Sequence, residues 1–179
     1  MLEADHKAIF TKWLEEHSPS VIKVARAYTL TMEDSQDLAQ EILLQALRSM
    51  PKFEGRASPA SWFYRVALHT AMNWHRKDRS RRLHQEPLLD VKRLALAPAG
   101  SSEQIEQREL VEQLYRAIHQ LPKTDVALVL LYLDEMSYRE MASVLGISES
   151  NVGVKLNRAK KALATLLNAT PAEVESDES

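Results

Sequence analysis

From Ser137 to Ala162 the chain reads SYREMASVLGISESNVGVKLNRAKKA, and its punctuation predicts two helices meeting at a tight turn. Ser137 and Glu140 are spaced as a capping box, so a helix starts there. Gly146 stands where a helix ends in left-handed backbone, and Ser148 is placed to cap the next helix. Met141, Ala142 and Leu145 form the inner face of the first helix, and Ile147 packs in the turn. Val152, Leu156, Ala159 and Leu163 do the same for the second helix. Ala142 before the glycine and Val152 beyond it are small enough for the close crossing of a helix-turn-helix. The opposite face of the second helix shows Ser150, Val154, Asn157, Arg158 and Lys161, with Asn151 and Lys155 at its flank. Amides and guanidinium groups suit base edges, ammonium groups suit phosphates, and an aliphatic suits a thymine methyl, which is the make-up of a major-groove reader. A generic helical hairpin is the competing reading.

Upstream, the same punctuation recurs. Ser18-Pro19 and Ser58-Pro59 each read as an N-cap followed by proline in the first turn, and Thr31-x-x-Asp34 reads as a capping box. These signals predict helices near 3–16, 19–29, 33–49 and 59–79, then 103–120, 123–134, 138–145 and 149–168. Between 83 and 102 the pattern lapses into Pro87, Pro98, Gly100 and paired serines, which predicts a flexible linker. Residues 171–179 read as a disordered acidic tail. The fold expected is all-α: two small helical domains, one at 1–82 and one at 103–170, joined by the linker.

Two further helices carry unexpected outer faces. Over 33–50, Leu38, Ala39, Ile42, Leu43, Ala46 and Met50 make the buried stripe, while Asp34, Asp37, Glu41, Gln45 and Leu44 lie opposite. That face is either a solvated surface with one stray leucine or a docking surface for a basic partner, the carboxylates steering and the leucine filling a pocket. Over 59–79, Phe63, Val66, Ala67, Thr70 and Trp74 face inward, and Trp62, Arg65, His69, Asn73 and Arg76 form a second stripe with Tyr64 and His75 at the far side. Cations, amides and rings without an acid suit single-stranded nucleic acid, whose phosphates and unstacked bases need those groups. Trp62 as peripheral core is the plainer alternative. The loop 51–58, with Phe53 and Gly55, either closes over an extruded base or is an ordinary connection.

Composition sets the frame for these faces. Across 179 residues the net charge is −2, but Arg65 to Arg82 holds six Arg/Lys against one acid, and Lys155 to Lys161 holds four cations and no acid. The acids collect at 33–41, 103–112 and 173–178. Two basic surfaces on an acidic body predict two separated nucleic-acid contacts and weak unaided DNA binding. With no cysteine, disulfides and thiolate metal sites are excluded. No apolar run reaches membrane-spanning length, and no signal-peptide pattern opens the chain. The six histidines are scattered without a metal-ligand set, and no phosphate loop, nucleophile elbow or His-Glu-x-x-His string is present, so no enzyme, metal or cofactor is expected.

Taken in order, these pieces resemble an extracytoplasmic-function (ECF) sigma factor over nearly the whole chain. The string DSQDLAQEILLQALR at 34–48 resembles that family's polymerase-docking helix. Phe53, WFYRVA at 62–67 and Arg76-Lys77 resemble its promoter-melting helix and preceding loop. Leu114-x-x-Ala117-Ile118-x-x-Leu121-Pro122 and the stretch quoted first resemble sigma domain four. His69 stands where the family often has Asn, and Gly153 where a basic residue is frequent.

The resemblance implies sigma domain two at 1–82 and sigma domain four at 103–170, docked on core RNA polymerase in the cytoplasm. It implies that Asp34, Asp37, Glu41 and Leu44 meet the polymerase's basic coiled coil. Ser150, Asn151, Val154, Lys155, Asn157, Arg158 and Lys161 would read the upstream promoter element as duplex. Phe53, Trp62, Tyr64, Arg65, His69, Asn73 and Arg76 would hold the non-template strand of the downstream element. It further implies an anti-sigma factor seated in the interdomain cleft. The rival reading is a helix-turn-helix regulator that binds duplex DNA without polymerase.

Overall fold

The computed structural model describes residues 2–74 and 100–169. Arg76, His75, most of the expected linker and the acidic tail lie outside the described residues. Among the described residues seven α-helices run in chain order: α1 (Leu2–Ala27), α2 (Met32–Ser49), α3 (Pro59–Met72), α4 (Ser102–Ile118), α5 (Lys123–Leu133), α6 (Tyr138–Leu145) and α7 (Glu149–Asn168), with a 3-10 turn at Met50–Lys52. No strand occurs among the described residues.

The caps form as their residue types dictate. Thr31 Oγ1 accepts from the Asp34 amide, and Ser58 Oγ accepts from Ser61 with Pro59 in the first turn behind it. Ser137 and Glu140 close a reciprocal capping box, and Ser148 Oγ accepts from the Asn151 amide. Gly146, at φ 68°, ends α6 in the left-handed region.

Ser18-Pro19 departs from expectation: the two helices expected at 3–16 and 19–29 are one, and Pro19 lies inside it. Pro19 cannot donate to the Glu15 carbonyl, but both residues are exposed, where water can serve that carbonyl. The inward stripe of Phe10, Trp13, Leu14, His17, Ser18, Val21, Val24 and Ala25 continues across the proline. Packing along that stripe outweighs the single lost bond.

Helices α1, α2 and α3 pack on one another, α7 packs on α4, α5 and α6, and α3 also lies against α5 and α6. The α2 stripe of Leu38, Ala39, Ile42, Leu43, Ala46 and Met50 is buried as expected. Helix α3 is buried over a wider arc than expected: Tyr64, Leu68 and Ala71 join Phe63 and Ala67 in the core. A helix flanked by two partners hides two faces, and one continuous buried cluster runs through both helical units.

Candidate nucleic-acid and protein interfaces

Helix α7 divides cleanly. Val152, Leu156 and Ala159 are fully buried and seat it, while Ser150, Asn151, Val154, Lys155, Asn157, Arg158 and Lys161 are all exposed. Val154, an aliphatic side chain, stands 62% exposed among amides and cations. Gly153 lies under the ring of Tyr138, whose nearest atom would be 3.5 Å from a Cβ at that position. That is ordinary van der Waals contact, so a methyl group would fit beside the aromatic of α6.

The stripe on α3 is partly assembled. Arg65, His69 and Asn73 are exposed along one side, and Asn73 caps the helix by donating from Nδ2 to the His69 carbonyl at 2.8 Å. Trp62 is half-buried instead of standing clear. Its ring centroid lies 5.7 Å from Trp13, 5.6 Å from Phe53 and 5.1 Å from Phe63. Phe53, brought in by the loop after α2, meets Trp13 edge-on at 4.9 Å. The fold therefore unites Phe53 and Trp62, as the sequence suggested, in an aromatic cluster that also gives Trp62 a packing role. Trp13, 49 positions before Trp62, was not singled out, because one tryptophan on an amphipathic helix carries no signal beyond core.

Tyr64 contradicts the expected strand-facing position. It is only 3% exposed, and its hydroxyl donates to Asp134 at the end of α5. Burial, and then the Asp134 carboxylate, push its pKa far above the ordinary phenol value, so it stays a neutral donor. The reason is tertiary: α5 and α6 cover that side of α3.

On α2, Asp37 and Glu41 are half-exposed, and Asp34 is 5% exposed in the first turn, where a carboxylate complements the helix dipole. Leu44 is half-buried and not the exposed side chain expected, while Leu47 one turn on is exposed. Gln45 donates to Glu41 at 2.9 Å. Between α2 and α3 runs a groove of about 560 Å³ lined by Glu41, Gln45, Arg65, His69, Asn73 and Trp74. It joins the acidic face to the basic stripe. Among the described residues no cluster of potential metal ligands occurs, and no helix is long and apolar enough to cross a membrane.

Comparison with known proteins agrees with this layout. Residues 13–81 match the family model for sigma-70 region 2, and residues 111–163 match that for sigma-70 region 4. The chain is 31% identical over 152 residues to the ECF RNA polymerase sigma factor SigX of Bacillus subtilis (strain 168), covering 80% of this chain and 76% of that one. It is 28% identical over 141 residues to the ECF RNA polymerase sigma-E factor of Escherichia coli (strain K12), covering 73% and 72%. Among solved structures, CnrH in complex with the cytosolic domain of CnrY superposes with a TM-score of 0.62 at 18% identity, covering 92% of this chain and 91% of that one. Two region models in order, a matching all-helical fold and a relative aligned over most of both chains place this protein in the family of ECF sigma factors of RNA polymerase.

Proposed function

We propose that this sigma factor divides its work between three helices, with no chemistry of its own and with polymerisation left to the partner enzyme. Helix α2 docks on core RNA polymerase through Asp37, Glu41 and Leu44, with Asp34 supporting the first turn. Helix α7 reads the upstream promoter element as duplex. Helix α3, with Phe53 and the loop 51–58, holds the non-template strand of the downstream element through Arg65, His69 and Asn73, and Arg76 extends that stripe in sequence. Domain two spans 1–82, the linker 83–102, domain four 103–170, and a tail 171–179 completes the chain.

The observation that carries this reading is the α7 face, where an exposed Val154 stands among Asn, Arg and Lys while Val152, Leu156 and Ala159 opposite are buried. Melting then uses no hydrolysis, because stacking worth about 1–3 kcal/mol per base offsets the unpairing of one or two bases. The cytoplasm is the compartment where such a partner works. An anti-sigma factor is its expected regulator, as NepR is the anti-sigma factor in the solved complex with RpoE of Bartonella quintana. Run-off transcription by purified core polymerase and this protein on fragmented genomic DNA tests the reading. Discrete transcripts that vanish without the protein are expected, and their absence overturns it. Sequence-specific duplex binding without polymerase, combined with no transcripts, would favour a helix-turn-helix regulator.

A further inference from the structure

The loop between α2 and α3 is held by rings more than by its own backbone. Among the described residues its backbone bonds lie at its two ends, from Phe53 N to the Met50 carbonyl and from Trp62 N to the Ser58 carbonyl, each at 2.9 Å. Between them Glu54, Gly55 and Arg56 are exposed. Gly55 stands at φ 71°, and a Cβ there would meet nothing within 4 Å. The ion pair from Arg56 Nε to Glu54 Oε2 at 2.8 Å stays inside the loop and ties it to no other element. With side chains 86% and 64% exposed, that pair adds little.

Phe53 is the exception. Its ring is half-buried and meets Trp13 of α1 edge-on, with Trp62 of α3 on its other side. The same Trp13 ring reaches Phe63, with centroids 6.2 Å apart and planes at 75°. Phe63 is 1% exposed, so Trp13 ties the aromatic of the loop to the buried core. Edge-to-face packing fixes a ring in orientation as well as in place, because the positive edge of one ring seeks the negative face of the next. An aliphatic side chain would fill the space without that preference.

We propose that Trp13 is a positioning residue for strand capture: from α1, outside the melting helix and its loop, it clamps Phe53 against Trp62 and keeps the loop 51–58 in place before the strand arrives. This rests on the strand-holding role proposed for Phe53 and the loop, and Trp13 itself touches no base. An exposed loop with a glycine at positive φ has many other conformations open to it once the clamp is lost. A pocket wall that is in place only part of the time captures an extruded base more weakly by that fraction.

The chain has no cysteine, so one spin label on Arg56→Cys reports the loop alone. In the complex with core polymerase its motion should be restricted, become fast with Trp13→Leu, and be restricted again with Trp13→Phe, which restores a ring. On a promoter found by run-off transcription, Trp13→Leu should leave the initial duplex affinity within about twofold. It should slow the step to competitor-resistant complexes about tenfold, as a loop in place about a tenth of the time requires, and Trp13→Phe should recover most of that rate. In a Phe53→Ala background Trp13→Leu should add nothing, because the clamp then has nothing to hold. An unchanged label and rate in Trp13→Leu, or a further slowing in the Phe53→Ala background, would overturn the proposal. So would a loss spread equally over duplex affinity and rate together with lower helical content, which marks a purely structural role. A freed label with an unchanged rate supports Trp13 as the clamp of the loop and overturns the strand-holding role of the loop instead.

Discussion

At the scale of single residues, the chemistry concentrates on Asp134 and His17. Burial pushes the Asp134 carboxyl up, but the donors on Lys23, Tyr64 and Ser20 outweigh it and hold the group below its ordinary value. Lys23 faces it from α1 and Tyr64 from α3, while Glu135 is its chain neighbour. A depressed carboxylate contributes stability that is present above the ordinary carboxylate range and is lost as pH falls through its lower folded value. His17, packed 5.2 Å from the Phe63 ring centroid, is shifted down by burial, against the pull of Glu16. Its unfolded form takes up a proton below about pH 6.5 before the folded form does, so it also makes stability fall with acid. Urea unfolding should therefore show a first loss of stability between pH 7 and 5 and a second below the carboxylate range. Asp134→Asn should abolish the second loss and keep the first; persistence of the second loss in that variant would show that another carboxylate sets it. Nothing in the sequence pointed to Asp134, because a carboxylate at a helix end reads as solvated until three donors from distant segments are seen to converge on it.

At the scale of elements, the helices closest to expectation are those whose ends carry their own chemistry. α6 and α7 begin and end where Ser137, Gly146 and Ser148 place them, since capping is settled within a few residues. Pro19 misled because its cost is local while the stripe that overrides it spans the whole of α1. Tyr64 misled because the second buried side of α3 depends on a unit far along the chain. Two variants test the reading element. A Cβ on Gly146 would meet nothing within 4 Å, so Gly146→Ala carries only the left-handed backbone penalty, about 1–2 kcal/mol by chemical denaturation. A larger loss would mean that contacts around the turn shift as well. Arg158 is exposed on α7, and Arg158→Ala should weaken binding of the polymerase complex to its upstream duplex by about 1–3 kcal/mol if the guanidinium forks onto a guanine edge. An equal loss on scrambled duplex would reassign it to a phosphate.

At the scale of the whole molecule, charge explains why such a protein works through a larger partner. A net charge of −2 gives little long-range attraction to DNA, so the basic faces proposed on α3 and α7 would act only at contact distance. The acidic side of α2 is suited to the complementary task, steering the chain onto a basic protein surface, and association rates follow such steering more than affinity does. Asp37 and Glu41 lie one turn apart on that side, half-exposed, while Leu38 and Ile42 beside them in sequence are fully buried. Reversing both charges with Asp37→Lys and Glu41→Lys therefore changes the outer face and leaves the packed one in place. Core-polymerase binding, measured by fluorescence anisotropy of the labelled protein, should be lost at 0.15 M salt, where the Debye length is about 8 Å and only close charges count. Helical content by circular dichroism should stay at the wild-type level. Unchanged binding would move the docking surface off α2, whereas loss of helix together with binding would mean that these carboxylates hold the fold and not the partner.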